Sequence, residues 1–243
     1  MPAERPAGSR RSAFSLRVII AGVQPTRVYL VRHGATQSTA ENRFSGALGV
    51  DLSEEGRLQA ELLGERLRRA SIHAIYSSDL SRAVETAEIV GARCGLEPSI
   101  LDGLREIDHG HWEGLTRAEV EERFPGEYAA WEEDPFTYAP EGGETGVAVL
   151  ARALPALRTI VTAHPGQNVV IVSHKATIRL LLSSLLGFDE RGYRDRLDQA
   201  PACLNVLDFR DAVHVRLMLF NDTSHYSERP RIVTHNLSKW WDQ

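Results

Sequence analysis

Segments with strand character alternate with segments with helix character along most of the chain, and this alternation constrains the fold most. Short apolar, β-branched runs predict strands at 27–31 and 74–77, and the strongest such run is at 168–172. A hairpin is predicted from 204–209 and 213–220. Strands that alternate with helices favour a mostly parallel sheet covered on both faces. The predicted fold class is therefore a three-layer α/β/α sandwich with a mostly parallel central sheet.

Helical spacing and capping signals predict five helices between these strands. They are expected at 54–69, at 80–93, between Thr116 and Pro125, at 147–162 and at 176–186. Ser53 is the expected N-cap of the first helix, and Thr116 forms a capping-box pattern with Glu119 before the third. Pro155 predicts a kink or a break in the fourth. Four leucines are expected on one face of the first helix: Leu58, Leu62, Leu63 and Leu67.

Composition excludes several classes of protein. The chain has 243 residues, of which 42% are hydrophobic and 25% are charged, as in an ordinary globular protein. With 28 basic and 33 acidic residues, the net charge of −5 argues against a nucleic-acid partner. Cys94 and Cys203 have neither metal nor redox spacing, so a reducing cytoplasm is the expected location. Apolar runs are far shorter than a membrane span, so no membrane partner is expected.

The two ends of the chain differ from its body. Residues 1–26 are arginine-rich and are interpreted as a disordered extension or as residues added by an upstream start codon. A twin-arginine export signal at 9–14 is an alternative, but the apolar stretch that follows is short. A transit peptide is a third alternative, which no feature of the sequence supports. Residues 27–227 are expected to form one domain, followed by a tail at 228–243 that contains Trp240 and Trp241.

Two histidines directly follow predicted strands. His33, flanked by Arg32 and Gly34, follows the first strand, and His174 follows the strand at 168–172. Functional groups gather at the carboxyl ends of parallel strands, so the two rings can meet if these strands are neighbours. An unprotonated histidine is a nucleophile, and arginine matches the oxygens of a phosphate. A charged His174 and free N–H groups of the helix that follows it would add phosphate contacts.

Seven segments, in order, resemble the histidine phosphatase superfamily, the phosphoglycerate-mutase-like proteins. The matching segments are 32–36, 41–46, 51–60, 77–87, 104–114, 170–174 and 221–225. A tripeptide such as Arg32-His33-Gly34 alone is weak evidence, but several motifs in the right order are strong evidence. The resemblance covers residues 27–227.

The resemblance implies a role for each matching residue. His33 would be the nucleophile that becomes phosphohistidine, and Arg32, Arg82 and His174 would hold the phosphoryl oxygens. Glu106 would protonate the leaving oxygen; Glu113 is the rival acid. The resemblance implies that no metal and no cofactor takes part. It implies a small phosphorylated metabolite as the partner. The oligomeric state stays open, with a homodimer as one option.

Departures from the family pattern decide the branch and leave some contacts open. Thr39 stands where relatives often have asparagine, and Ser45 stands where several have glutamine; either can contact the phosphate. Lys175 can add a charge there or be a solvated lysine. The insertion typical of mutases is missing after Gly114, which favours a phosphatase. A phosphoglycerate mutase is the alternative, and a non-catalytic phospho-ligand-binding protein is less favoured because the catalytic set is complete.

Two further groups of residues carry weaker hypotheses. His109 and His111 have a spacing that permits a metal, but no third ligand is evident, so no metal site is predicted. Arg191, Arg194 and Arg196 are interpreted as a solvated face, with contacts to the substrate as the alternative.

Overall fold

A single six-stranded sheet forms the centre of the molecule. The computed structural model describes residues 24–37 and 43–227. Its strands are β1 (Thr26–Arg32), β2 (Ala74–Ser77), β3 (Pro98–Ile100), β4 (Asn168–Ser173), β5 (Leu204–Phe209) and β6 (Val215–Asp222). Their order across the sheet is β3-β2-β4-β1-β5-β6. Strands β1, β2, β3 and β4 pair in parallel, and β5 pairs antiparallel with both β1 and β6.

Helices cover both faces of this sheet. They are α1 (Glu54–Leu67), α2 (Ser81–Cys94), α3 (Arg117–Arg123), α4 (Pro125–Glu133), α5 (Gly146–Ala163), α6 (Lys175–Leu186) and α7 (Tyr193–Arg196). Helices α1 and α2 pack on one face of the sheet, and α5 and α6 pack on the other. In β1, Leu30 lies in the core on the side of α5 and α6, and Val31 lies in the core on the side of α1 and α2. Because β1 is covered on both faces, its central residues 28–31 form a continuous apolar run. The three-layer prediction is confirmed.

The first helix buries a narrower face than its sequence indicated. Ser53 caps α1 as predicted, since its side chain accepts a hydrogen bond from the Gly56 N–H. Leu63 and Leu67 are buried, but Leu58 and Leu62 are 55% and 37% exposed, so the expectation of one shared face is wrong. The contact face also includes small residues, Gly56, Ala60 and Gly64. These allow close approach of the neighbouring elements and leave the other two leucines on the solvent side.

Helix α5 continues through Pro155 without a break. Pro155 and the residue four before it, Ala151, are both exposed, so water can bond the carbonyl that lacks an N–H partner. Helix α5 is apolar and long enough to cross a membrane by length and composition alone. Here its residues Ala153, Leu157 and Ile160 lie in the core against the sheet, which accounts for the apolar composition.

The predicted hairpin is present, with its second strand shifted. Strand β5 has the predicted bounds, whereas β6 begins at Val215 rather than at 213. The Asp211 carboxylate accepts hydrogen bonds from the N–H groups of Val213 and His214, which keeps these residues in the turn. The interpretations of residues 1–23, of Thr39 and of the tail that contains Trp240 and Trp241 lie outside the described residues.

Candidate active site

The two strand-end histidines lie together at the centre of the sheet. Strands β1 and β4 are parallel neighbours, and Arg32 pairs with Ser173 at their ends. The His33 N–H donates to the Ser173 carbonyl, and the rings of His33 and His174 have centroids 5.1 Å apart. The prediction that the two rings meet is therefore confirmed, because it depended only on the adjacency of these strands.

The His33 ring is held in one tautomer. Its Nδ1 lies 2.7 Å from the Gly34 carbonyl, which can only accept, so Nδ1 carries the proton. Its Nε2 accepts from the Arg82 Nε–H at 3.3 Å. Burial, with the charges of Arg32 and Arg82, holds the pKa of His33 well below its usual value. The Nε2 atom is therefore a neutral nitrogen with a lone pair, as a nucleophile requires.

Gly34 allows a close approach between two backbone segments. A Cβ there would lie 2.5 Å from the Gly56 carbonyl oxygen at the start of α1. Glycine is thus required for the approach of two backbone segments, and this contact fixes the loop that presents His33.

The His174 ring is held through Nε2, whereas the His33 ring is held through Nδ1. The His174 Nε2 lies 2.8 Å from the Ser78 hydroxyl, and its buried Nδ1 has no hydrogen-bond partner among the described residues. Burial, with the charges of Arg82, His33 and Arg32, holds its pKa well below the usual value. A charged His174 is thus disfavoured in the protein alone, and a charged ring beside a phosphate stays a prediction. The ring is neutral, with one nitrogen left for a ligand.

Arg82 is fixed by three acceptors. It occupies the second position of α2, and beside its bond to His33 it donates to the carbonyls of Leu48 and Gly46, each at 2.7 Å. The turn that presents these carbonyls is closed by a hydrogen bond from the Leu48 N–H to the Ser45 carbonyl. Ser45 thus has a backbone role in placing Arg82, and the contact of its hydroxyl with phosphate stays a prediction.

Arg32, the residue before His33, retains donor capacity. Its Nη1 donates to the Gln199 carbonyl at 2.7 Å, while its buried Nε has no partner among the described residues. Because Arg32 and Arg82 are both buried, their charges act in a medium of low polarity, where an anion gains most from them.

The Glu106 carboxylate lies at the N-terminus of α6. It accepts hydrogen bonds from the N–H groups of Ile107, Ala176 and Thr177 and from the Thr177 hydroxyl, at 3.0 to 3.2 Å. Two of the first N–H groups of this helix therefore bind Glu106 rather than being free for phosphate. In this way α6 positions both His174, its N-cap residue, and the acid.

A partly buried ion pair holds the segment that carries Glu106. Arg152 on α5 donates to the carbonyls of Gly103, Arg105 and Glu106 and pairs with Glu144 at 2.8 Å. The Glu144 N–H donates to the Asp108 carbonyl. The loop at 134–145 therefore stabilises the segment that carries Glu106.

Glu113, the rival acid, supports the turn beside Arg82. Its Oε1 accepts from the Ala47 N–H at 2.6 Å and from the His109 N–H at 3.3 Å. Burial raises the pKa of Glu113, and Asp108 contributes in the same direction. Its bond to the Ala47 N–H stabilises the turn whose carbonyls hold Arg82.

His109 and His111 contact different neighbours. The His109 ring packs edge-on against Phe44 with centroids 4.8 Å apart, and burial lowers its pKa to about 4. The His111 Nε2 lies 3.2 Å from Glu127. Over residues 24–37 and 43–227 there is no group of three or more His, Cys, Asp or Glu side chains disposed to hold a metal ion.

Arg194 is buried, so its interpretation as part of a solvated face is wrong. It lies 4.3 Å from the centre of the Trp131 ring and 3.1 Å from Glu132. A planar cation over an aromatic face with a carboxylate partner is stable inside a protein. Arg194 thus joins α7 to α4. Arg191 is exposed as expected and pairs with Asp134.

Several supporting residues were not identified from the sequence. Ser78 follows β2, which neighbours β4, so the strand-end rule was sufficient to place it near His174. No feature of the sequence indicated that Gln199 would lie at the site. Its position depends on a buried side-chain pair with Asn205, at 2.7 and 3.1 Å, formed only in the folded protein.

Comparison with known proteins agrees with this arrangement. The sequence model of the histidine phosphatase superfamily (branch 1) matches residues 28–223. Glucosyl-3-phosphoglycerate phosphatase of Mycolicibacterium vanbaalenii is 40% identical over 66% of this chain and 74% of its own length. Phosphoserine phosphatase 1 of Hydrogenobacter thermophilus is 37% identical over 67% of this chain and 77% of its own.

A solved structure matches at the level of the whole fold. A mycobacterial glucosyl-3-phosphoglycerate phosphatase aligns with a TM-score of 0.74 and 34% identity, over 82% of this chain and 99% of that one. The family match covers both histidine-bearing strand ends and the segment that carries Glu106. The chain belongs to the histidine phosphatase superfamily, in its branch 1.

Proposed function

We propose that the protein hydrolyses phosphate monoesters of small metabolites through a phosphohistidine on His33, with Glu106 as the proton donor. The observation that carries this proposal is the fixed tautomer of His33. Its proton is held on Nδ1 by the Gly34 carbonyl, and its Nε2 accepts a hydrogen bond from the buried Arg82. Relatives named as phosphatases of phosphoserine and of glucosyl-3-phosphoglycerate support the reaction class.

The first half of the reaction transfers the phosphoryl group to His33. The Nε2 lone pair forms a bond to phosphorus while the bond from phosphorus to the ester oxygen breaks. Arg32 and Arg82 neutralise the charge on the phosphoryl oxygens, and the free Nδ1 of His174 can donate to one of them if Ser78 donates to its Nε2. Glu106 gives its proton to the departing alcohol oxygen, since an alkoxide is a poor leaving group.

The second half returns the enzyme to its starting state. A water oxygen forms a bond to phosphorus as the bond from phosphorus to Nε2 breaks, and the Glu106 carboxylate takes the proton of that water. Phosphate is released and Glu106 is protonated again, so no metal or cofactor is required for the balance of protons and charge.

The test is a screen of phosphorylated metabolites for phosphate release. It includes 3-phosphoglycerate with a trace of 2,3-bisphosphoglycerate. The expected result is release of free phosphate from at least one small monoester, without interconversion of the monophosphoglycerates. Interconversion without release would instead identify a mutase. Tight binding of esters with neither reaction would identify a non-catalytic binder.

A further inference from the structure

A second group of cations lies beside the phosphate site. Lys175 is the first residue of α6, and Arg179 follows one turn later on the same face. Lys175 Nζ and Arg179 Nη2 both contact one oxygen of Asp198, at 3.2 and 2.9 Å. The residue after Asp198, Gln199, accepts the hydrogen bond from Arg32. Two successive residues therefore gather three cations at one edge of the site.

The charges of this edge do not balance within the protein. Arg32 and Arg82 match the two charges of a phosphoryl group, whereas Lys175 and Arg179 share a single carboxylate, Asp198. Burial first, and then the charges of Arg179 and Arg32, lower the pKa of Lys175 to about 7 in spite of Asp198. Burial also lowers the pKa of Arg179 to about 10. One further negative charge would stabilise both cations.

Donors remain available for such a charge. The Arg179 side chain is 5% exposed, and its buried Nε has no hydrogen-bond partner among the described residues. The Lys175 side chain is 33% exposed, so a ligand can reach it. An unpartnered buried guanidinium nitrogen is costly unless a ligand satisfies it.

The position of the pair indicates which half of the substrate carries the charge. Ala176, next to Lys175, donates its N–H to Glu106, the acid proposed to protonate the leaving oxygen. The cations thus adjoin the side of the site where the alcohol departs. Because only one charge is unbalanced, a carboxylate fits better than a second phosphate.

We propose that Lys175, with Arg179 behind it, binds a carboxylate on the alcohol half of the substrate, so that the enzyme selects phosphate esters of hydroxy acids. This proposal rests on the proposed function, because it assigns the leaving-group side from Glu106. Asp198 holds the two cations in place, and the ligand carboxylate adds the counter-charge that Asp198 alone does not supply.

The test compares ester pairs that differ at the carboxylate. These are O-phosphoserine with phosphoethanolamine, and 3-phosphoglycerate with glycerol 3-phosphate. Binding is measured by calorimetry on a His33→Ala background, which cannot turn the ester over. We expect the carboxylated member of at least one pair to bind about tenfold more tightly, as expected for a charge-assisted contact.

Variants assign that preference to this pair of cations. Lys175→Met should reduce the ratio of dissociation constants to below about twofold, and Lys175→Arg should retain most of it. Arg158→Met, which removes an exposed charge on α5, is the matched control and should leave the ratio unchanged. Equal binding within both pairs, or a preference that survives Lys175→Met, would overturn the proposal. Phosphate release by the unmodified enzyme is scored separately, so failure of the proposed function is distinguishable.

Discussion

The ends of β1 and β4 present the same residue type in the same buried position, yet they hold it differently. His33 is bonded through Nδ1 to a backbone carbonyl, and its Nε2 faces Arg82. His174 is bonded through Nε2 to the Ser78 hydroxyl, and its Nδ1 has no partner among the described residues. A carbonyl accepts only, whereas a hydroxyl can donate or accept. The first histidine therefore keeps an unprotonated Nε2, as the proposed nucleophile requires, and the second can serve as a donor.

The backbone explains this difference. Strand β1 continues into a loop fixed against the start of α1, so the Gly34 carbonyl turns back to the His33 ring. Strand β4 continues directly into α6, and His174 is the N-cap residue of that helix. Its ring therefore points across the sheet to the end of β2, where Ser78 lies.

Replacement of the two histidines should give the largest and most unequal effects. His33→Ala removes the atom that forms the covalent bond and should lower kcat/KM by about 10⁴-fold or more. His174→Ala removes one phosphate donor and should cost about 10²- to 10³-fold. Both are measured with p-nitrophenyl phosphate. Similar losses for the two variants would contradict the proposed difference between the two histidines, because they would indicate equivalent roles for the rings.

The arginine that contacts the nucleophile should give the next largest loss. Arg82→Ala should lower kcat/KM by about 10²- to 10³-fold, since it removes a buried charge and the donor to His33 Nε2. Arg57→Ala is the matched control, because Arg57 lies on the exposed face of α1, paired with Glu85. Small and equal losses would show that Arg82 is not a phosphate ligand.

Glu106 should be distinguished by the leaving group. Glu106→Gln should cost about 10²-fold with alkyl phosphates, whose oxygen needs the proton. It should cost much less with p-nitrophenyl phosphate, measured as a burst so that the later dephosphorylation does not mask the first step. An equal loss for both substrates would assign Glu106 to binding or folding. Glu113→Gln is the companion variant, and there the leaving group should make no difference.

A decrease in pH should have little effect on the protonation of the His33 and His174 rings. Burial and the neighbouring arginines hold the pKa values of His33 and His174 below the ordinary value of 6.5. Both rings should therefore stay neutral at pH 6.5, where a free imidazole is half protonated, as followed by ¹⁵N NMR of labelled imidazoles. The unfolded chain takes up these protons near pH 6.5, so the free energy of unfolding should fall as the pH drops below that value. A ring that titrates near 6.5 would contradict the site as described.

The sequence predicted most of what depends on strand order and little of what depends on packing. The meeting of His33 and His174 follows from two buried strands that each end in histidine. The burial of Arg194 could not be predicted, because its partners Trp131 and Glu132 lie on α4, which has no strong periodic signal. The same holds for Arg152, whose acceptors are carbonyls of a distant segment.

The central claim is that His33 Nε2 is the attacking atom. The direct measurement is to mix the enzyme with an excess of a rapidly reacting phosphate ester and quench it in alkali within the burst. Peptide mass spectrometry and ³¹P NMR then locate the phosphoryl group. We expect phosphate on His33, attached at Nε2, because the Gly34 carbonyl keeps the proton on Nδ1. Phosphate on His174, on any other residue or on Nδ1 of His33 would contradict it.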